Sequence, residues 1–317
     1  MEAQKVADAF GLGRATSLSE PVARGEVGEI RRLETERGSY AVKQAFEPLT
    51  TEEVADLEAA GAFHRACWDA GIPTSEPMPA AHGGVVAEVD DEHVLAYSWV
   101  ELDQPDTDLD PAAVGALVAQ LHDVRHPMAG PMDAPVHEWF EAPIGEREWK
   151  GVLKASRAAG APYADGLAEL LPALIEVEWI LTPMRRLQVC HLDLWADNLR
   201  RTRDRGLCIL DFENAGPADP SRELAMVVFE FGQGDQLRQR RLYDAYREEG
   251  GPGRVTERGD ASMAVAQLHH IGHRHLTMWL GARDPEARAR SLAGVEEFLG
   301  GPLLLPDVDR LVAAVNG

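Results

Sequence analysis

The sequence has few cysteines and few basic residues, and each shortage excludes a class of protein. Its three cysteines, Cys67, Cys190 and Cys208, form no C-x-x-C pair, so neither a disulfide framework nor a zinc knuckle is expected. A reduced, cytoplasmic setting suits such thiols. With 31 Lys and Arg against 53 Asp and Glu, the formal net charge is −22. A nucleic-acid-binding surface is not expected either, because phosphate binding needs clustered Lys and Arg.

Long apolar runs are also missing. No segment of the sequence approaches the roughly 20 apolar residues that a membrane span requires, and residues 1–14 lack the regions of a signal peptide. We therefore expect no membrane partner. The acidic excess is first of all a feature of a soluble surface, and it is compatible with a cationic small-molecule partner. The length of 317 residues and the hydrophobic content of 45% predict roughly two domains with a sizeable core.

The N-terminal part of the chain carries strand and turn patterns. Residues 30–35 alternate as a half-exposed strand does, a turn follows at 36–39, and 40–43 resume a strand. Thr50 and Glu53 form a capping box that opens a helix, which ends at Gly71 and Pro73. The inner stripe of this helix is predicted to include Val54, Leu57, Gly61, His64 and Trp68.

Two further strands, followed by a mostly helical remainder, complete the predicted fold. Residues 85–89 and 93–100 read as strands joined by Asp90-Asp91-Glu92, and the polar segment 101–106 reads as a crossover. Asp110-Pro111 then caps the first of many helices. We predict an α+β protein with a small β-rich lobe at 1–100 that contains one main helix, a hinge at about 97–106, and a larger, mostly helical lobe at 101–317.

The chemistry is concentrated between residues 189 and 225. His191, Asp193 and Asn198 form H-x-D-x-x-x-x-N, and Asp211 ends the apolar run 207–210. This order matches a kinase catalytic loop and its metal ligands. Asp193 is the predicted catalytic base, and Asn198 and Asp211 are predicted to hold Mg²⁺ through oxygen. His191 is expected to orient the loop through hydrogen bonds.

Residues of the first lobe complete a nucleotide site. Lys43, at the end of a strand, is predicted to neutralise phosphate oxygens, and Glu58 on the next helix is predicted to pair with it. Gly25 and Gly28 would let a loop backbone approach the phosphates. Each of these residues also has a plain alternative, because Asp193 could be a cap, Lys43 a surface lysine and G-x-x-G a hairpin turn.

Together these residues resemble the aminoglycoside phosphotransferase and choline kinase-like superfamily, a small-molecule branch of the protein-kinase fold. Residues 28–43 are similar to its nucleotide-loop and lysine strands, 191–198 to its catalytic loop, and 211–213 to the kinase D-F-G with Glu in place of Gly. The resemblance implies a hinge at 97–100, where backbone groups of Ser98 and Val100 bind the nucleobase beside a Tyr97 gatekeeper.

The resemblance also implies a reaction. The chain would use ATP or GTP and Mg²⁺ to phosphorylate a hydroxyl of an aminoglycoside-like or other antibiotic, and so act in antibiotic resistance. Acidic residues such as Glu213, Glu230 and Asp235 could contact the ammonium groups of that acceptor.

Other functions stay open. A metabolic kinase of choline, ethanolamine, homoserine or a sugar-like alcohol is the first alternative, an inactive nucleotide-binding regulator the second, and a metallohydrolase built on His191, Asp193 and Asp211 a third. Four late histidines share one predicted helix, whose aromatic and aliphatic neighbours favour packing over metal binding; they are His269, His270, His273 and His275.

Overall fold

A computed structural model of the chain describes residues 1–25, 28–128 and 137–317. It divides into two compact units. Unit 1 comprises Met1–Leu109, Gln120–Ala129 and His191–Gly216, and unit 2 comprises Asp110–Ala119, Gly130–Cys190 and Pro217–Gly317. The segment that carries Asp193 therefore groups with the N-terminal strands. The predicted boundary divides the chain at residue 100, whereas each unit combines several segments of the sequence. The boundary therefore stays a prediction.

Unit 1 contains a five-stranded antiparallel sheet with the order β1-β2-β3-β5-β4. Its strands are β1 (Ala15–Arg24), β2 (Gly28–Thr35), β3 (Gly38–Ala45), β4 (Ala87–Val89) and β5 (Glu92–Ser98). The predicted turn between the last two strands is present. Asp90 and Asp91 both adopt positive φ, 54° and 63°, which suits the tight turn of a hairpin.

Two helices accompany this sheet, α1 (Ala3–Ala9) and α2 (Thr51–Asp69). The predicted capping box at the start of α2 is confirmed, because Glu53 N–H donates to Thr50 Oγ1 at 3.2 Å and Thr50 N–H donates to Glu53 Oε2 at 2.7 Å. The apolar core of the sheet consists of residues from α1, the strands and their connections: Val6, Ala7, Phe10, Leu12, Leu33, Val42, Ala80, Ala87, Val89, Val94 and Ala96.

The predicted inner face of α2 is correct at His64, which is buried, and wrong at Trp68. Its buried residues are Ala60, Phe63, His64 and Cys67, whereas Trp68 is 37% exposed. Both sets of residues recur at helical spacing and share His64. A pattern with apolar residues on two faces sets the period of a helix and leaves its rotation to tertiary packing.

A second hairpin in unit 1 consists of β7 (Leu199–Arg201) and β8 (Leu207–Ile209). It is attached to the predicted crossover segment, since Asp103 N–H donates to Arg201 O at 2.9 Å and Arg203 N–H donates to Glu101 O at 3.2 Å. These backbone bonds hold the hairpin beside the chain that leaves β5.

The remaining elements are mostly helical. Asp110 caps α3, accepting from Ala112 N–H at 3.3 Å, as predicted. The helices are α3 (Pro111–Asp123), α4 (Glu138–Glu141), α5 (Glu146–Ala158), α6 (Ala164–Val177), α7 (Pro220–Gly232), α8 (Gln236–Glu248), α9 (Ser262–Gly281), α10 (Pro285–Gly300) and α11 (Leu305–Asn316), with the short strands β6 (Gln188–Cys190) and β9 (Gly216–Ala218). None of the helices in the described ranges is long and apolar enough to cross a bilayer. The predicted α+β class is confirmed.

Unit 2 has its own core, which encloses a buried carboxylate. Glu178 is 6% exposed and accepts from the N–H groups of Ile144 and Gly145 at 3.2 and 3.0 Å. It also accepts from Trp149 Nε1 at 2.8 Å and lies 2.9 Å from His269 Nδ1. One member of the late histidine cluster is thus a structural partner of a buried acid.

Candidate active site

Two left-handed residues shape the loops of the candidate site in unit 1. Leu192 has φ 68° and Asp211 φ 55°, conformations that cost a non-glycine residue about 1–2 kcal/mol. His191 bridges the two loops, with Nε2 2.9 Å from Leu210 O and Nδ1 3.3 Å from Asp193 N. A carbonyl only accepts and an amide N–H only donates, so the proton of His191 is on Nε2. Its predicted orienting role is confirmed.

Asp193 is held by two side-chain amides. Asn198 Nδ2 donates to Asp193 Oδ2 at 2.9 Å and to Asp193 O at 3.0 Å, and Asn214 Nδ2 donates to the same Oδ2 at 3.1 Å. Burial, and then the nearby negative charge of Asp211, raise the pKa of Asp193 to about 6 against the opposing effect of both amides. A carboxylate with this pKa is deprotonated at neutral pH and is more basic than an ordinary aspartate.

The β7–β8 hairpin brings the two predicted metal ligands to one end of its ladder. Leu210 N–H donates to Asn198 O at 2.8 Å. Asn198 therefore lies opposite Leu210, the residue that precedes Asp211. Because the amide nitrogen of Asn198 donates to Asp193, its side-chain oxygen is directed away from that carboxylate. An amide oxygen and a carboxylate are donors that magnesium prefers, so these residues fit the expected cation.

Lys43 of β3 has two carboxylate partners. Its ammonium group donates to Asp211 Oδ1 and Oδ2 at 3.0 and 3.1 Å and lies 2.7 Å from Glu213 Oε1. Its side chain is only 14% exposed. Burial lowers the pKa of Lys43, but the two carboxylates outweigh burial and raise that pKa above its ordinary value. The ammonium is therefore firmly charged.

The expected pairing of Lys43 with Glu58 is corrected by the structure. The Glu58 carboxylate accepts from Val85 N–H at 2.8 Å and from Val86 N–H at 3.0 Å. It therefore holds α2 against the segment that precedes β4. Backbone donors that lie near a carboxylate compete directly with a distant ammonium group. The acid beside Lys43 is Glu213, which follows Asp211 by two residues.

The two loop glycines lie at the ends of the β1–β2 connection. Gly25 N–H donates to Gly28 O at 2.9 Å. A Cβ atom on Gly28 would lie 2.4 Å from Gln44 O, so the close pairing with β3 requires glycine there. Residues 26 and 27, which lie between them, are outside the described residues, and the approach of this loop to phosphates stays a prediction.

The predicted hinge lies at the end of β5. Ser98 N–H donates to Glu76 O at 2.8 Å, and Glu76 N–H donates to Ser98 Oγ at 2.7 Å. The N–H of Ser98 is therefore engaged within the protein. Burial raises the pKa of Tyr97 well above its ordinary value, so its hydroxyl stays neutral. The nucleobase contacts of Ser98 and Val100 stay predictions.

Phe212 connects the turn after Asp211 to α2. Its ring stacks on His64 with centroids 4.1 Å apart and lies 4.5 Å from the ring of His191. Burial, and then the neighbouring His191, lower the pKa of His64 to about 3, so His64 is a neutral packing residue whose Nε2 lies 2.9 Å from Thr74 Oγ1. This stack secures the turn that carries Asp211.

Two of the acidic residues suggested as acceptor contacts have partners within the chain, and sequence reasoning missed one amide. Glu213 pairs with Lys43. Asp235 is the N-cap of α8, accepting from the N–H groups of Leu237 and Arg238 at 2.8 and 2.9 Å. Asn214 carried no motif, and the only available signal was its position three residues after Asp211.

This arrangement agrees with a family comparison. The model of the phosphotransferase enzyme family, abbreviated APH, matches residues 20–258, which include the candidate site. The chain belongs to this family. A Deinococcus radiodurans protein is 28% identical over 163 residues, which cover 49% of this chain and 46% of that protein. The chain thus aligns with about half the length of this curated relative.

Solved structures of phosphotransferases share the fold of this family member. A spectinomycin phosphotransferase in complex with ADP and spectinomycin has a TM-score of 0.64 at 13% identity, over 99% of this chain and 98% of that one. An aminoglycoside phosphotransferase from Alicyclobacillus acidocaldarius scores 0.61 at 13%, over 96% and 93%. An ethanolamine kinase from Plasmodium vivax scores 0.55 at 12%, over 92% and 84%. The predicted protein-kinase-like fold is confirmed, and likeness at these identities concerns the fold alone.

Proposed function

We propose that this chain is a small-molecule kinase that transfers the γ-phosphate of ATP or GTP to a hydroxyl of an aminoglycoside-like or other antibiotic. The observation that carries the proposal is the Asp193 carboxylate. One of its oxygens accepts two amide hydrogen bonds, and the other is left for a hydroxyl. Membership of a phosphotransferase family supports the same reaction class.

The donor side of the reaction uses residues of unit 1. Lys43 neutralises phosphate oxygens, Gly25 and Gly28 let a loop backbone approach the phosphates, and the hinge backbone at Ser98 and Val100 binds the base. Lys43 now contacts Asp211, and Asp211 would turn to a magnesium ion, if one were bound, while Lys43 held the phosphates. Glu213 can then stay on Lys43 and hold its ammonium group.

Asp193 carries the acceptor side. Its free oxygen orients the acceptor hydroxyl and takes its proton as the new oxygen–phosphorus bond forms, while the bond to the nucleoside diphosphate breaks. Charge that develops on the leaving phosphate is balanced by Lys43. A magnesium ion held by Asn198 and Asp211 supplies further charge neutralisation at the phosphates when it is bound.

An antibiotic acceptor with ammonium groups is compatible with the charge of the chain and with its fold. The net charge of −22 attracts cationic molecules. Spectinomycin phosphotransferase, and an amicoumacin kinase with a TM-score of 0.58, share the fold. A metabolic kinase is the second candidate, because the ethanolamine kinase and a Streptococcus pneumoniae choline kinase with a TM-score of 0.51 share it too.

The test is a turnover screen with the purified chain and Mg²⁺. Spectinomycin, kanamycin, choline, ethanolamine and homoserine are supplied with ATP and with GTP, and release of nucleoside diphosphate is measured. We expect release that depends on an antibiotic in the wild type and is lost in Asp193→Asn. Turnover with only choline, ethanolamine or homoserine would replace the antibiotic with a metabolic acceptor.

The same screen separates the other classes. Nucleotide binding without any turnover would identify a regulator, and hydrolysis of an added ester without nucleotide would identify a metallohydrolase. We further propose a cytoplasmic reaction, where magnesium nucleotides are available. Expression in a susceptible bacterium should then raise the spectinomycin or kanamycin concentration that stops growth, and Asp193→Asn should not.

A further inference from the structure

Asn214 is an exposed residue that none of the sequence motifs includes. It ends the 3-10 turn Phe212–Asn214, which is closed by a hydrogen bond from Ala215 N–H to Phe212 O at 2.9 Å. Its side chain nevertheless contacts a residue far back in the chain, because Nδ2 donates to Asp193 Oδ2 at 3.1 Å. An exposed amide with this single long-range bond invites a functional explanation.

The two amides around Asp193 converge on one carboxylate oxygen. Asn198 Nδ2 and Asn214 Nδ2 donate to Oδ2 at 2.9 and 3.1 Å. A carboxylate oxygen has two lone-pair directions, and two donors use both of them at Oδ2. The oxygen that can accept a further hydrogen bond, from a substrate hydroxyl, is therefore Oδ1.

We propose that Asn214 is a positioning residue for phosphoryl transfer: together with Asn198 it holds Oδ2 of Asp193, so that Oδ1 is presented to the acceptor hydroxyl. A carboxylate held by one donor can rotate about its Cβ–Cγ bond, whereas two donors fix its plane. Orientation of a base relative to the atom it deprotonates contributes directly to rate. The inference rests on the proposed function, in which Asp193 is that base.

One backbone feature, the left-handed turn at Asp211, positions the side chains of both Asp211 and Asn214. Asp211 adopts the left-handed conformation with φ 55° and ψ 67°, which reverses the chain into the 3-10 turn. Strain of this kind persists where the surrounding structure enforces it, here through the stacked Phe212. The turn that positions the predicted metal ligand Asp211 therefore also places the Asn214 amide beside Asp193.

The chemistry of position 214 separates positioning from packing. An aspartate there would keep the size of asparagine, lose the donor and place a negative charge beside Asp193. A glutamine would keep the donor on a longer arm, which an exposed site can accommodate. Because Asn214 is exposed, none of these changes should alter the melting temperature.

The experiment measures steady-state kinetics of Asn214→Ala, Asn214→Asp and Asn214→Gln with the first acceptor that gives turnover among spectinomycin, kanamycin, choline, ethanolamine and homoserine. If none does, acceptor-independent hydrolysis of MgATP is measured. We expect Ala to lower kcat about tenfold with both KM values within about twofold, Asp to lower kcat on the order of a hundredfold, and Gln to recover it to within about threefold. Asn316→Ala, an exposed amide bonded to Val255 O and Val312 O, is the matched control and should retain wild-type kcat.

Wild-type kcat in Asn214→Ala or Asn214→Asp would overturn the inference, and so would a rise in acceptor KM alone, which would make Asn214 an acceptor contact. The proposed function fails separately. A wild type without any nucleotide turnover refutes both, whereas turnover that is lost in Asp193→Asn and normal in Asn214→Ala refutes the inference alone.

Discussion

Two acids that lie largely out of water, Asp193 in unit 1 and Glu178 in unit 2, respond to burial in opposite ways. Burial and the charge of Asp211 raise the pKa of Asp193 to about 6. Burial also acts to raise the pKa of Glu178, but hydrogen bonds from His269 and Trp149 lead the effects that overcome it and lower that pKa below its ordinary value. The difference lies in the donors that each carboxylate receives.

Glu178 is fully supplied with donors, and Asp193 is supplied on one side. Two backbone N–H groups, an indole and an imidazole surround Glu178, whereas two amides share a single oxygen of Asp193. A satisfied buried carboxylate holds the fold together, and a partly satisfied one beside another acid keeps basicity for chemistry.

Asp193→Asn should produce the largest effect on activity. Removal of a general base is expected to lower kcat by roughly 10² to 10⁴, while the melting temperature stays the same or rises, because the raised pKa shows that the charged form is unfavourable there. Stopped-assay kinetics and thermal unfolding measure the two effects. Asp69→Asn, an exposed change at the end of α2, is the matched control, and wild-type turnover in Asp193→Asn would remove Asp193 as the base.

Glu178→Gln should affect stability and spare activity. The amide group of glutamine presents a donor where a backbone donor already lies and removes the negative charge that accepts from His269 and Trp149, so the free energy of unfolding should fall by about 3 kcal/mol. Urea unfolding measures this loss, and kcat should be unchanged below the melting temperature. Glu176→Gln, an exposed neighbour, should have no effect, and equal losses in the two variants would contradict a special role for Glu178.

The contributions of Asp193 and Glu178 to the free energy of unfolding should change with pH in opposite directions. In the proposed mechanism Asp193 must be deprotonated, so kcat/KM should fall about tenfold for each pH unit below about 6. The folded protein binds a proton at Asp193 more readily than the unfolded chain does, so this contribution to stability is present at low pH and is lost as pH rises through about 6. The contribution of Glu178 is present above its unfolded pKa of 4.5 and is lost as pH falls through its lowered folded pKa.

Rate profiles between about pH 4.5 and 8, and unfolding free energies between about pH 3 and 8, separate the contributions of the two acids. Both are measured for the wild type, Asp193→Asn and Glu178→Gln. An activity profile without an acidic limb near pH 6 would contradict the assignment of Asp193, and a Glu178→Gln stability loss that grows as pH falls would contradict that of Glu178.

The smallest expected effect concerns the partner of Lys43. Glu213→Gln removes the carboxylate that lies 2.7 Å from the ammonium, so the KM for nucleotide should rise about five- to tenfold. Glu58→Gln should leave that KM unchanged and lower the melting temperature, since Glu58 accepts from Val85 and Val86. Kinetic titrations with nucleotide measure the KM of both variants. A raised KM in Glu58→Gln with an unchanged KM in Glu213→Gln would make Glu58 the partner of Lys43.

Features that depend on near neighbours were readable from the sequence. The Thr50–Glu53 capping box and the Asp90-Asp91 turn are present as predicted, because each arises from hydrogen bonds or backbone preferences within a few residues. The spacing of His191, Asp193 and Asn198 was equally informative, since one loop carries all three side chains.

Features that depend on distant partners were not readable. The buried face of α2 was placed correctly at His64 and wrongly at Trp68, which is exposed, because two sets of residues recur at helical spacing. Glu58 was paired with Lys43 because both belong to a predicted nucleotide site. Nothing in the residues around Glu58 reveals that Val85 and Val86 return to it with free N–H groups.

By itself, the sequence determined the α+β class, the β-rich start and helical remainder of the chain, and the spacing of the residues proposed to carry phosphoryl transfer, since these follow from local propensity and from the types of side chain at fixed spacing. Only the tertiary structure decided which groups meet. It set Glu213 beside Lys43 and Asn214 beside Asp193, because the left-handed backbone at Asp211 and the stacking of Phe212 on His64 turn the chain back on itself.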